Sequence, residues 1–246
     1  MKTIVIIQAR MGSSRLPGKV LLRLGAETVL ANVVHRTQRA GLVDEVVVAT
    51  SEADRDAVIA DECQRLQVRC FRGSEHDVLD RYYRTAVATG AEAIVRVTAD
   101  CPLIDPELVD EAIRIFLKEN ADYCSNSLPR HYPRGLDTEV FSARALTQAW
   151  SEAQEPYQRE HVTPYLYEHP EMFRIASAAG AVDYSQYRWT LDTPEDLELL
   201  RAVFQNLPHA ATCHWTEVLA LMDAQPQLAE LNAGVLQKEL RAGARR

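Results

Sequence analysis

Four short apolar runs, at residues 3–8, 45–50, 67–71 and 93–98, alternate with longer segments whose apolar positions recur at helical spacing. No other feature limits the fold so tightly. The first run, Thr3-Ile4-Val5-Ile6-Ile7, is β-branched throughout, and the segments 28–40, 53–66 and 78–89 between the runs read as helices. Near-continuous apolar strands belong to parallel sheets buried on both faces. The pattern therefore predicts an α/β chain with a three-layer α/β/α architecture and a mostly parallel sheet. In such folds ligands lie beyond the carboxyl ends of the strands, so candidate residues are sought just after each run.

Residues 103–119 add a helix opened by Asp105-Pro106, an N-cap followed by proline in the first turn. Beyond residue 124 the pattern changes. Residues 126–134 carry two prolines and several polar groups and read as an ordered excursion or lid. Strands are expected at 136–141, 173–178 and 188–191, and helices at 143–152 and from Pro194. From Trp215 the chain is helical and ends in a basic tail, 241–246, expected to fray. The expected organisation is a main domain over 1–213, with an excursion at 124–170, and a helical extension over 214–246.

With 27 Lys and Arg against 35 Asp and Glu, the formal charge is −8. That excludes a whole-protein basic field for nucleic acid but not a local basic pocket. No apolar stretch approaches the roughly 20 residues that span a bilayer, and the opening residues lack a basic, apolar leader. The five cysteines are odd in number and none has CxxC spacing. A disulfide scaffold and a zinc knuckle are excluded, and a cytoplasmic protein without a membrane or nucleic-acid partner is expected.

The first loop is Gln8-Ala9-Arg10-Met11-Gly12-Ser13-Ser14-Arg15-Leu16-Pro17-Gly18-Lys19. Glycines permit close backbone approach, the serines donate hydrogen bonds, and Arg10, Arg15 and Lys19 supply charge. A helix starting beyond the loop would add its dipole. Five residues separate Gly12 from Gly18 and Val20 follows the lysine, so this is neither a Walker A loop nor a GxGxxG turn. The alternative is a basic surface turn; the density of donors favours polyphosphate binding. Asp100 follows the fourth run and is either a Mg²⁺ ligand or a turn aspartate ahead of Pro102. Asp192 precedes Thr193-Pro194, where capping accounts for Thr193, Pro194 and Asp196 but does not require Asp192. Two strand-end aspartates could share metal and triphosphate oxygens.

Taken together, these segments resemble the sugar cytidylyltransferases of the GT-A-like nucleotide-diphospho-sugar transferase superfamily. The first loop is similar to the ARxxSxRLPGKxL motif of the 3-deoxy-manno-octulosonate cytidylyltransferases. More of the chain resembles the branch of spore coat polysaccharide biosynthesis protein F and the acylneuraminate cytidylyltransferase-like proteins. The runs that carry the likeness include Phe71-Arg72-Gly73-Ser74, Asp77-Val78-Leu79-Asp80-Arg81-Tyr82, Arg96-Val97-Thr98-Ala99-Asp100-Cys101-Pro102, Gly135-Leu136-Asp137-Thr138-Glu139, Arg159-Glu160-His161-Val162 and Leu191-Asp192-Thr193-Pro194-Glu195-Asp196. Gln8 stands where the octulosonate enzymes have proline, and Cys101 where they have glutamate.

The resemblance implies transfer of CMP from CTP to a sugar, with pyrophosphate release, for surface-polysaccharide biosynthesis. By it, Ala9, Arg10, Gly12, Ser13, Ser14, Arg15 and Lys19 meet the triphosphate, and Arg72, Gly73, Ser74, Asp77, Asp80 and Arg81 the base and ribose. Asp100 and Asp192 hold Mg²⁺; catalysis falls to Arg10, Lys19, Asp100 and Asp192. Sugar contacts are expected from Asn126, Arg134, Asp137, Glu139 and His161, and the arginines suit an acidic sugar. His161 is also readable as a hydrogen-bonded core histidine, and that reading comes ahead of a catalytic one because transfer to CTP needs no histidine. Asp54-Arg55-Asp56 spells DxD but opens a helix, where carboxylates serve the N-terminus, and Cys101 has no neighbouring base to make it a nucleophile. The excursion could build a homodimer interface. The rival readings are a glycosyltransferase consuming a nucleotide sugar and a silent nucleotide-binding domain.

Overall fold

The computed structural model describes residues 1–238, and the tail expected to fray, 241–246, lies outside the described residues. In chain order the elements are β1 (Thr3–Gln8), β2 (Arg23–Leu24), β3 (Glu27–Thr28), α1 (Val29–Thr37), β4 (Glu45–Ser51), α2 (Ala57–Arg65), β5 (Arg69–Gly73), α3 (Val78–Thr89), β6 (Ala93–Thr98), α4 (Pro106–Lys118), β7 (Tyr123–Ser125) and β8 (Glu139–Ser142). There follow α5 (Ala143–Glu152), α6 (Pro156–His161), α7 (Pro164–Tyr167), β9 (Ile175–Ser177), α8 (Pro194–Asn206), α9 (Trp215–Ala224) and α10 (Gln227–Glu230). No helix among the described residues is long and apolar enough to cross a membrane.

The main sheet has the order β5-β4-β1-β6-β8-β7-β9. Strands β5, β4, β1 and β6 pair in parallel. β8 runs antiparallel between β6 and β7, and β9 is parallel to β7. Alternation along β1 then divides the core. Val5 and Ile7 pack with Val33 of α1, Ile59 of α2 and Ile113 of α4. Ile4 and Ile6 pack on the opposite face with Leu79 and Tyr82 of α3 and Leu146 of α5. Helices cover both faces, giving the three layers the sequence predicts. A third cluster gathers α8 and α9 around the buried Trp189.

Side-chain caps set the helix starts. Thr28, Asp77, Asp105 and Ser142 each accept a backbone N–H at the head of α1, α3, α4 and α5. Four strand expectations shift, the one at 173–178 shrinking to Ile175–Ser177. Gln67 closes the turn after α2 with φ 54°, so β5 starts at Arg69 rather than 67 and runs on to Gly73 opposite Ser51. The strand expected at 136–141 begins only at Glu139, because the Asn126 side chain takes the Leu136 carbonyl (2.7 Å) and the Thr138 N–H (2.8 Å) out of pairing. Residues 188–191 make one bridge, Arg134 to Arg188, and then turn to Asp100 instead of extending a ladder. Within the excursion Arg130 grips Asp137 with two bonds of 2.5 and 2.6 Å.

Arg36 of α1 is fully buried and donates to the carbonyls of Ile104 (2.6 Å), Cys213 (2.7 Å), Ala210 (3.0 Å) and Leu103 (3.4 Å). It ties the head of α4 to the segment before α9. Arg36→Met strips that set of carbonyls of its donors and should lower stability by about 3 kcal/mol or more. Urea unfolding monitored by circular dichroism checks this; a loss under about 1 kcal/mol would show that the carbonyls find other partners.

Candidate active site

After β1 the Ala9 N–H still bonds the Ala49 carbonyl (3.1 Å), and then the chain leaves the sheet. The Met11 carbonyl accepts from Ser13 (2.9 Å) and Gly18 (3.0 Å), which folds the loop upon itself. The Met11 N–H donates to the buried Asp56 carboxylate (2.8 Å), which also accepts from Ser51 Oγ. Asp56 therefore supports the loop and makes no side-chain cap for its own helix, contrary to the expectation for the DxD segment. Gly18 has φ +71°, a left-handed conformation in which a side chain is strained. It turns the chain so that Lys19 points back at the sheet. No α-helix follows directly. A three-residue 3₁₀ turn and the β2–β3 hairpin intervene before α1, so the dipole expected behind the loop is absent.

The Lys19 ammonium is where the distant parts meet. It donates to Asp100 Oδ2 at 2.6 Å and to Asp192 Oδ1 at 2.8 Å. Asp100 lies beyond the end of β6, its Oδ1 accepting from Thr98 Oγ1 (2.5 Å). Asp192 is brought beside it because the Leu191 N–H and Thr190 Oγ1 both bond the Asp100 carbonyl (2.8 and 3.2 Å). Gly135 secures the other side, with φ +111° and no room for a Cβ, which would sit 2.6 Å from the Trp189 carbonyl carbon.

Asp192 also meets Arg15 (3.0 Å) and Arg188 (2.6 Å), and Arg188 Nε reaches the fully buried Asp196 (2.9 Å). Asp196 in turn accepts from the backbone N–H of Asp192 (2.8 Å) and Thr193 (3.0 Å). Burial opposes the charge on Asp192, but Lys19, Arg15 and Arg188 outweigh it and hold its carboxyl below the usual range. Burial likewise opposes the charge on Lys19, and Asp100 and Asp192 overcome it, raising the ammonium above its ordinary value. Both groups stay ionised through the neutral range. Burial, with Asp100 and Asp137 adding, pushes the Cys101 thiol well up, so it is no nucleophile.

The two carboxylates already share one cation position, and their oxygens are the hard donors that Mg²⁺ takes. No group of three or more His, Cys, Asp or Glu side chains among the described residues could hold a metal. A Mg²⁺ ion here would draw its remaining ligands from substrate oxygens and water. The pair fits such an ion.

These residues line a cleft of about 500 Å³ at the carboxyl ends of β1 and β6. Among the described residues its lining carries seven arginines and lysines against four carboxylates, in a chain of net charge −8. Such a local reversal of sign favours an anionic ligand. A cytidylyltransferase family model matches residues 4–222. The chain belongs to that family.

Two relatives of the cytidylyltransferase match along most of its length. Protein MJ1063 of Methanocaldococcus jannaschii is 39% identical over 98% of each chain. Spore coat polysaccharide biosynthesis protein SpsF of Bacillus subtilis is 36% identical over 91% of this chain and 95% of its own. A solved cytidylyltransferase of Leptospira borgpetersenii superposes with TM-score 0.90 and 32% identity, covering 97% of this chain and 99% of that one. CMP:2-keto-3-deoxy-manno-octonic acid synthetase, solved with CTP, shares the fold at TM-score 0.65 and 21% identity, covering 84% of this chain and 100% of its own.

Of the residues expected at the triphosphate, Ala9, Arg10, Ser13, Ser14, Arg15 and Lys19 line the cleft of the cytidylyltransferase. Arg10 stands at its rim, 3.6 Å from Glu160. Gly12 does not line the cleft and packs beside the Arg55 side chain instead. Arg81 alone of the base-and-ribose set reaches it. Arg72 is turned away by bonds to the Ser51 and Ala53 carbonyls (2.9 and 3.0 Å), and Gly73 is buried where β5 ends beside Ser51. Ser74 caps the turn into α3 by accepting from Asp77 N–H (3.0 Å). Asp77 caps α3 and pairs with Arg159, while Asp80 holds Arg84 (2.7 Å) and the Trp150 indole (2.9 Å).

On the sugar side, Arg134, Asp137 and His161 line the cleft, and Asn126 and Glu139 do not. Asn126 is committed to its own loop. Glu139 is taken up by Arg96, Tyr123 Oη (2.6 Å) and Thr163 Oγ1 (2.6 Å) beneath the cleft. His161 ends α6 just before Val162, a β-branched residue held at φ 73°. Sequence reasoning assigned no role to Arg188 or Arg96. A charge inside the otherwise apolar run 93–98 was the available sign for Arg96; the pairing of Arg188 with residues four and eight positions on left none.

Proposed function

We propose that this cytidylyltransferase transfers CMP from CTP to an acidic sugar and releases pyrophosphate. The observation that carries the reading is the meeting of Lys19 with Asp100 and Asp192 at the mouth of a basic loop. A sugar hydroxyl oxygen would lose its proton to water and form a bond to the α-phosphorus while the bond from that phosphorus to the bridging oxygen breaks and pyrophosphate leaves. Arg10, Arg15 and Lys19 would hold the phosphates in line and take up charge on the departing pyrophosphate. Asp100 and Asp192 would hold Mg²⁺, whose contribution when bound is to offset triphosphate charge.

Arg134 supports the acidic class of sugar. It is half-buried at the cleft, desolvation lowers its hold on charge, and no described residue pairs with its guanidinium. A carboxylate would satisfy it bidentately. The name of the SpsF relative supports a place in surface-polysaccharide synthesis for the product.

Thermal shift with CTP, UTP, ATP, GTP and dTTP, with and without Mg²⁺, tests the nucleotide. CTP should lead, and only with the metal should pyrophosphate release follow when an acidic sugar is added. Arg134→Gln should raise KM for that sugar roughly 10-fold or more, the worth of a charged hydrogen bond, with KM for CTP little changed. Equal turnover of neutral and carboxylated sugars would remove the acidic class, and a lead by another triphosphate would remove CTP.

A further inference from the structure

The segment after α10 returns to the phosphate loop. Arg15 Nη1 donates to the Leu236 carbonyl (3.2 Å), Arg188 Nη1 to Gln237 Oε1 (2.7 Å), and Lys238 Nζ to Ser14 Oγ (2.8 Å). Three consecutive residues thus touch either the loop or an arginine that itself contacts Asp192. The return is anchored from behind. Asn232 is buried and donates to the Arg188 carbonyl (2.9 Å) and to Asp196 (2.8 Å), so Asp196, Arg188 and Asn232 form one buried network under the strap.

Gln237 and Lys238 line the same cleft as Lys19 and Asp100. The loop's own cations are already engaged with carboxylates: Lys19 with Asp100 and Asp192, Arg15 with Asp192, Arg10 with Glu160. Lys238 differs. Among the described residues its ammonium meets a hydroxyl and no carboxylate. An ammonium carries three N–H donors, and one of them suffices for Ser14. The cytidylyltransferase model ends at residue 222, so this cation lies outside the part of the chain that the family model matches.

We propose that Lys238 is a further triphosphate-binding residue, delivered to the phosphate loop by the C-terminal strap. The inference rests on the reading of CTP as substrate. With CTP in the cleft, the donors of Lys238 not given to Ser14 face phosphate oxygens beside it, and the strap covers the loop.

The test is steady-state pyrophosphate release by the full chain carrying Lys238→Gln, Lys238→Glu or Lys238→Arg, together with thermal shift by CTP and by CMP. Lys238→Gln should raise KM for CTP about fivefold, the upper range for an exposed charge contact. Lys238→Glu should raise it tenfold or more, and Lys238→Arg should stay near wild type. In each case kcat should change little, the midpoint without nucleotide should hold, and CMP protection should be nearly unaffected. Added NaCl should narrow the gap between wild type and Lys238→Gln, a response that a purely structural role would not give. A KM for CTP within twofold of wild type in Lys238→Glu overturns the proposal, and so does a lowered KM, which would make the strap an obstruction. If no nucleoside triphosphate stabilises the wild type, the reading beneath the proposal fails and takes it along. If CTP stabilises wild type and Lys238→Glu equally, this inference alone fails.

Discussion

Asp100→Asn and Asp192→Asn are each expected to lower kcat on the order of 10²–10³-fold, the loss seen when one preorganised electrostatic group is removed from a charged transition state. The two variants should differ in stability. Among the described residues Asp100 meets one cation, Lys19 at 2.6 Å, and is further held by Thr98. Asp192 meets three: Lys19 at 2.8 Å, Arg15 at 3.0 Å and Arg188 at 2.6 Å. Neutralising Asp192 leaves those three cations crowded, so it should lower the unfolding midpoint more than Asp100→Asn does. Nucleotide binding separates charge from metal. Each Asn variant should bind CTP without Mg²⁺ at least as well as wild type, since a negative charge has left an anion site, but should lose the gain that Mg²⁺ brings. Steady-state pyrophosphate release and thermal shift with and without Mg²⁺ read all three effects. Near-wild-type turnover in either variant would remove that aspartate from the mechanism.

These three residues could be brought together from the sequence because each lies next to an element whose end or start is legible. Lys19 comes after the loop that leaves β1, Asp100 after β6, and Asp192 just before the Thr193 cap of α8. In a parallel sheet, residues after the strands share one edge, and that topological rule does the work of a contact map. The same rule does not say which way a side chain turns within its loop. Asp77 and Asp80 follow β5 as expected and Arg72 lies within its longer span, but backbone carbonyls, a helix N-terminus and Trp150 claim their side chains. Three-residue strands such as β7 are too short to carry a period of two, and pairing with β8 and β9 creates this one. The strap was invisible for a different reason. Lys238 and Ser14 are 224 positions apart, with no motif to join them.

Lys19→Met is the sharper test of how the site is charged, because it should move catalysis and metal binding in opposite directions. The side chain is 10% exposed, and methionine nearly conserves its volume, so the turn after Gly18 should persist. Catalysis should fall on the order of 10²–10³-fold, since the departing pyrophosphate loses a buried cation. Yet the Lys19 ammonium now occupies the position that both carboxylates share, and its raised pKa keeps it charged through and beyond the neutral range. A divalent cation must therefore compete with it for Asp100 and Asp192 when no nucleotide is present. Removing the competitor leaves Asp100 without its cation beside Asp192, which keeps Arg15 and Arg188, and a metal relieves the repulsion between the two carboxylates. Mg²⁺ alone, titrated calorimetrically, should bind Lys19→Met more tightly than wild type. Lys19→Arg should restore neither property fully, because a planar guanidinium cannot present a point charge to both carboxylates in the same way. A Lys19→Met protein that kept its turnover, or that bound Mg²⁺ no better than wild type, would show that the bridge is a structural ion pair and that phosphate and metal are gripped elsewhere.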